Sequence, residues 1–189
     1  MGLSSPINIA MKISMKEIVK LKVGWDEEVP TEIKDSWVRM LKELIDSPPL
    51  VFPRRIFASP EKDTMPHIEL VGYWDGSMDA YCAVIYARSL ASTSPPVWST
   101  QLVTAKCRVT PVQGLTIPRS ELCGLLALVR LTDTVLRSLA DRVRRVTLIG
   151  DSSCTIASFD ATTTLLAPYF GNRIGECMET IAAWGDLLD

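Results

Sequence analysis

The stretch ELVGYWDGSMDAYCAVIYAR, residues 69–88, decides the reading of the chain. It holds two short runs of β-branched, aromatic and small apolar residues around a turn at Gly76–Asp79, the pattern of a β-hairpin. Asp75 ends the first run beside Trp74, in a segment otherwise suited to burial. A carboxylate in such a place is unfavourable unless a charge or a hydrogen-bond donor meets it. Its partner has to come from another part of the chain or from a ligand.

Downstream, residues 97–110 alternate Val103, Ala105, Cys107 and Val109 with polar neighbours and predict a third strand, after a loop at 92–96 (STSPP). Gly114 then breaks the chain, and Thr116 with Pro118 opens a helix over 117–139. That helix is apolar on almost every side, so it belongs in the centre of the fold. The segment RVRRVTLIGDS, 142–152, predicts a fourth strand whose apolar run stops at Asp151. Helical segments at 153–159 and 168–184 follow. Three antiparallel strands, a helical crossover and a fourth strand make an α/β fold with a mixed sheet.

Upstream the character differs. Residues 6–24 carry Ile9, Ile13, Ile18 and Leu21 at helical spacing, with lysines expected on the other face. Residues 30–46 form a second amphipathic helix, with Thr31 as candidate cap and Ile33, Trp37, Met40, Leu41 and Leu44 as its stripe. The prolines of SPPLVFPRR, 47–55, end it. The expected organisation is a helical segment over 1–57, a linker over 58–67 and the α/β unit over 68–189.

Composition narrows the function. With 20 basic and 22 acidic residues the net charge is −2, so any nucleic-acid binding has to use a local basic face. Arg142, Arg144 and Arg145 form one such group, either a solvated strand start or a phosphate contact. Five cysteines stand singly with no C-x-x-C pair, which speaks against a zinc site or a disulfide framework. Their apolar contexts predict buried reduced thiols, as in a cytosolic or nuclear protein. The most apolar run, 122–136, contains Arg130 and Asp133 and reads as a buried helix, and the N-terminus has no run of signal-peptide type. No membrane association is expected. The five tryptophans, 25, 37, 74, 98 and 184, read as packing anchors. The single histidine, His67, falls in the linker and has no cysteine partner for nucleophilic catalysis.

Three acids stand at chemically useful places: Asp75 at the end of the first strand, Glu121 in the first turn of the long helix, and Asp151 at the end of the fourth strand. Each has a local explanation. Asp75 can cap its own turn, Glu121 can face the helix dipole, and Asp151 can cap the next helix. If the first and fourth strands are neighbours and the helix crosses them, the three carboxylates converge and repel one another. Mg²⁺ resolves that conflict, because it prefers carboxylate oxygens and water. Two such ions, about 3.5–4 Å apart, can activate water and stabilise the leaving oxygen of a phosphodiester.

The segments YWDGSMDAYCAVIYAR, TAKCRVTPVQGLTIPRSELCGLLALVRL and TLIGDSSCTIASF resemble the ribonuclease H region of BEL/Pao-type retrotransposon Pol polyproteins. The family forms are DAS…AYGAV, K-S/T-R-V-A-P…TIPRLEL and SDS. Residues 3–44 are similar to the segment that joins reverse transcriptase to ribonuclease H in these elements, and the resemblance spans about residues 3–180. It implies a ribonuclease H-like fold. It makes Asp75, Glu121 and Asp151 the catalytic, metal-holding acids for two Mg²⁺ or Mn²⁺ ions. It also implies that Arg119, Ser120 and Ser152 face the substrate, the RNA strand of an RNA–DNA hybrid. The implied partner is the reverse transcriptase domain of the same polyprotein, in a cytoplasmic or nuclear retroelement particle.

Two departures from the family pattern stand out. The family has a glycine near the position of Cys82. It also has a fourth acid, on a further strand and loop, for which neither Asp186 nor Asp189 has a matching motif. The fourth ligand, a fifth strand and a last helix are therefore expected to be missing from the chain, and a catalytically inactive remnant serving as a scaffold is the alternative function. The same elements are also grouped under a Pao peptidase heading. An aspartic peptidase needs D-T/S-G, and neither DTG nor DSG occurs.

Overall fold

The α/β unit is built on a four-stranded sheet in the order β3-β2-β1-β4. The strands are β1 (Ile68–Gly76), β2 (Ala80–Thr93), β3 (Pro96–Val109) and β4 (Val143–Ile149). The helices are α1 (Ser5–Leu21), α2 (Thr31–Asp46), α3 (Ile117–Leu139), α4 (Ser153–Asp160) and α5 (Pro168–Ala182), followed by a 3-10 turn at Gly185–Leu187. The computed structural model describes residues 4–49, 66–139, 142–161 and 166–187, with residues 2, 51 and 57 besides. Residues 58–65 of the expected linker, and Asp189, lie outside the described residues.

β1, β2 and β3 form an antiparallel meander, and β4 returns parallel to β1 after the α3 crossover. In β1 the even-numbered residues Ile68, Leu70, Gly72, Trp74 and Gly76 are buried. This period of two follows from the pleat. They meet α3, whose Leu122, Leu125, Leu128 and Val129 are almost wholly buried, and α5 closes the layer with Ile174 and Cys177. α3 is the central helix that its composition predicts. No helix among the described residues is long and apolar enough to cross a membrane.

Several expectations are corrected. The loop at 92–96 shrinks to a two-residue link, because β2 runs to Thr93 and pairs it with Pro96. Pro96 is tolerated there as the first residue of an edge strand. Thr31 is the first residue of α2 and Pro30 occupies the cap position, with no side-chain cap bond. Lys16 is not on a solvated lysine face: it is buried, and its Nζ donates to Thr110 Oγ1 at 2.7 Å and lies 3.5 Å from Asp79 Oδ1. The pairing is what permits the burial, and it fastens α1 to the β1–β2 turn and the end of β3. Trp74 and Trp184 are buried anchors, whereas Trp25 is fully exposed and Trp98 about half exposed beneath Arg88. Of the five thiols only Cys177 is fully buried, and Cys154 is exposed.

Candidate functional site

The site is assembled by close backbone approaches at one end of the sheet. A Cβ on Gly76 would stand 2.3 Å from Glu121 N and 2.4 Å from Ser120 C. A Cβ on Gly124 would stand 2.8 Å from Asp75 O. Only hydrogen fits at either place, so α3 crosses directly over the end of β1 and brings Glu121 beside Asp75. On the other side, a Cβ on Gly150 would fall 2.2 Å from the Trp74 indole, so β4 ends against the same strand. The parallel register ends at Tyr73↔Ile149, so Asp75 and Asp151 each lie two residues beyond the last paired position.

Asp75 is exposed, and its Oδ1 accepts from Gly76 N at 2.7 Å. It does take part in its own turn, as its local explanation has it. Asp151 is exposed at the start of the α4 connection. It does not cap α4: the cap is Ser152, whose Oγ accepts from Thr155 N at 3.2 Å. The buried Ser152 hydroxyl donates to Glu121 Oε2 at 2.5 Å and lies 2.8 Å from Thr155 Oγ1. Glu121 is half-buried and stands at the fifth residue of α3, past the first turn, which holds no acid. Helix-dipole compensation therefore does not explain it, since that effect is confined to the first turn.

Ser120 is fully buried, with Oγ 3.5 Å from Ala80 O. Arg119 is exposed and lies over the Tyr169 ring at 4.8 Å. His67 is exposed and shares a 2.7 Å contact with Arg144 Nη2, and Arg142, Arg144 and Arg145 are all exposed at the start of β4. Asp186 is exposed in the 3-10 turn. Cys82, opposite Asp75 on β2 and opposite Cys107 on β3, has its thiol pKa raised by burial first and by Cys107 and Asp75 next.

The donor set suits a hard cation, since all three acids offer carboxylate oxygens. Among the described residues, however, no group of three or more His, Cys, Asp or Glu side chains is close enough to hold one ion. The acids border a shared sheet end rather than a closed cage. Sequence reasoning missed the Ser152–Glu121 bond and the residues around Tyr169. The alternation of Lys106 and Arg108 on β3, and the four-residue spacing of Tyr169 and Arg173 on α5, were the available signals.

An α/β protein with a β3-β2-β1-β4 mixed sheet and acids at the ends of β1 and β4 and on the crossing helix is the class so defined. The chain belongs to the family described as the Pao retrotransposon-like RNaseH-like domain, which matches residues 1–152. All three acids fall within the matched part. None of the curated proteins matches the sequence. Among solved structures, the chain is similar to ribonuclease H1 from the halophilic archaeon Halobacterium salinarum NRC-1, with a TM-score of 0.41, 14% identity, and 64% of this chain and 82% of that chain covered. It is also similar to the N-terminal RNase H domain of a Mycobacterium tuberculosis protein, solved as a fusion with maltose-binding protein. There the TM-score is 0.36, the identity 9%, and the coverage 62% of this chain and 76% of that one.

Proposed function

We propose that this chain carries out ribonuclease H-type chemistry in a retroelement Pol polyprotein: hydrolysis of the RNA strand of an RNA–DNA hybrid, with Asp75, Glu121 and Asp151 holding Mg²⁺ or Mn²⁺. The observation that carries the reading is the convergence of β1, β4 and α3 through the Gly76–Glu121 and Trp74–Gly150 approaches. Family membership supports it independently.

The ions, when bound, would lower the pKa of a water and offset charge at the phosphodiester. The chain's own residues do the rest. Ser152 holds one oxygen of Glu121 and so restrains the carboxylate. Gly76 N–H holds Oδ1 of the exposed Asp75. Arg119, stacked on Tyr169, offers a fixed guanidinium two residues before Glu121 for the hybrid backbone. The reverse transcriptase domain of the same polyprotein would deliver the hybrid inside the retroelement particle, in cytoplasm or nucleus.

A second reading, a catalytically inactive scaffold, has one observation in its favour: no three-acid group among the described residues is tight enough to hold an ion. One experiment separates the two. A labelled hybrid is incubated with the protein in Mg²⁺ or Mn²⁺, and with Asp75→Asn, Glu121→Gln and Asp151→Asn. The nuclease reading expects cutting of the RNA strand that each substitution abolishes and that chelator stops. Cutting that survives all three substitutions overturns it, and hybrid binding without any cutting favours the scaffold.

A further inference from the structure

A basic groove of about 400 Å³ runs along the outer side of α3, between β3 and α5, and no part of the site described above uses it. Lys106 and Arg108 line it from β3, Arg130 from α3, and Arg173 and Glu176 from α5. Lys106 and Arg108 are two residues apart on one strand, so both point to the helix-bearing face. Their partners across the ladder, Ala83 and Tyr81, lie on that same face, with Ala83 buried under the helix layer.

The charge balance is one-sided. Four cations face the groove against one carboxylate, Glu176. That carboxylate is committed: it accepts from Arg130 Nε at 2.6 Å and Nη2 at 2.8 Å. These bonds hold its pKa below the usual carboxylate value. Lys106 and Arg108 are exposed and have no acidic partner among the described residues. Such a gathering of like charge is unfavourable unless an anion meets it.

The groove is connected to the acids. Cys123 lines it, and the Cys123 thiol is 3.2 Å from the Tyr169 hydroxyl. The Tyr169 ring carries two guanidinium groups, Arg173 at 3.7 Å and Arg119 at 4.8 Å. Arg173 also donates to Tyr169 O at 3.0 Å, so it is held in place. The line of cations thus passes from β3 across α5 to Arg119, which is two residues from Glu121 on α3. A compact anion would fill one point of this line, whereas a polyanion can follow all of it.

We infer that this groove binds the phosphodiester backbone of a nucleic-acid strand, with Lys106, Arg108 and Arg173 as its phosphate contacts and Tyr169 as the rigid support for Arg173 and Arg119. The inference rests on the nucleic-acid reading of the acidic site, and it adds a second, separate contact line to it. Two or three cations spaced along an open groove give affinity by releasing counterions, without reading the base sequence.

The test is binding of a fluorescent RNA–DNA hybrid in excess chelator, where no cutting occurs, titrated over a range of salt. The proteins are wild type, Lys106→Gln/Arg108→Gln, Arg173→Gln and, as reference, Lys42→Gln, an exposed cation on α2 outside the groove and the acidic site. Each lost phosphate contact should lower the slope of log affinity against log salt by about 0.9, so the double variant should lose about 1.8. Lys42→Gln should keep the wild-type slope. Far-ultraviolet circular dichroism and thermal melts establish that each variant is folded. An unchanged slope in both folded groove variants overturns the inference, as does equal competition by polyglutamate of matched charge. Groove-dependent binding in a protein that never cuts the hybrid would leave the inference standing and remove the nuclease reading. Cutting with groove-independent binding would do the reverse.

Discussion

The Ser152 hydroxyl donates to Glu121 Oε2 at 2.5 Å, a bond between residues 31 apart that joins the start of α4 to α3. The same oxygen caps α4 by accepting from Thr155 N at 3.2 Å. One buried side chain therefore both ends the connection after β4 and orients an acid of the candidate site.

This double use separates two effects of substitution. Ser152→Ala should lower stability by about 1 kcal/mol through loss of the cap, read as a shift of the urea midpoint. It should also release Glu121 and reduce hybrid cutting at saturating substrate, a loss of turnover rather than of affinity, because Ser152 acts on the acid and not on the strand. Ser152→Thr keeps a hydroxyl and should restore much of both. Turnover that is unchanged in folded Ser152→Ala would remove Ser152 as a positioning residue.

Gly76 and Gly175 make an internal comparison. Gly76→Ala forces a methyl against the α3 backbone at 2.3 Å, and backbone cannot move aside as a side-chain end can. Overpacking of this kind costs about 1–3 kcal/mol or more. Because the displaced segment is Ser120–Glu121, loss of cutting should accompany loss of stability. Gly175, in the interior of α5, has nothing within 4 Å of an added Cβ. Gly175→Ala should instead stabilise by about 0.5–1 kcal/mol, through helix propensity and a less free unfolded chain. Thermal melts of the two variants check this, and shifts of the same sign would contradict it.

Much of the sheet was legible because its signals are local. An apolar run that stops at an acid marks a strand end facing solvent; Asp75 satisfied that pattern within β1, whereas β4 ends at Ile149, two residues short of Asp151. α3 was legible to the residue, since Pro118 opens it and its apolar residues occupy most of its circumference. What stayed hidden depends on pairs distant in sequence. Lys16 looked like one lysine among several on a polar face, and only the arrival of Thr110 and Asp79 from 94 and 63 residues away makes its burial tolerable. Ser152 looked like a substrate contact beside Asp151, but its hydroxyl turns inward because α3 passes within reach. Glu121 is the fifth residue of a helix that starts at Ile117, as predicted, so its place past the first turn was countable from the sequence.

The buried thiol of Cys177 makes a prediction about alkaline stability. Burial pushes its pKa from the ordinary 9.0 up to about 12. Below the ordinary value, folded and unfolded chains both keep the proton and the group is silent. Between pH 9 and 12 the unfolded chain loses the proton while the folded chain retains it, so the unfolded state binds fewer protons. Stability then falls as pH rises, by up to about 1.4 kcal/mol per pH unit for this one group. Urea unfolding at pH 8, 10 and 11 should show a steeper decline in wild type than in Cys177→Val, which removes the titration and keeps an apolar, slightly larger side chain. At pH 8 Cys177 should also resist iodoacetamide in the folded protein, while the exposed Cys154 reacts first, because the thiolate is the reactive form. Parallel pH profiles for wild type and the valine variant, or early labelling of Cys177, would show that burial does not hold this proton.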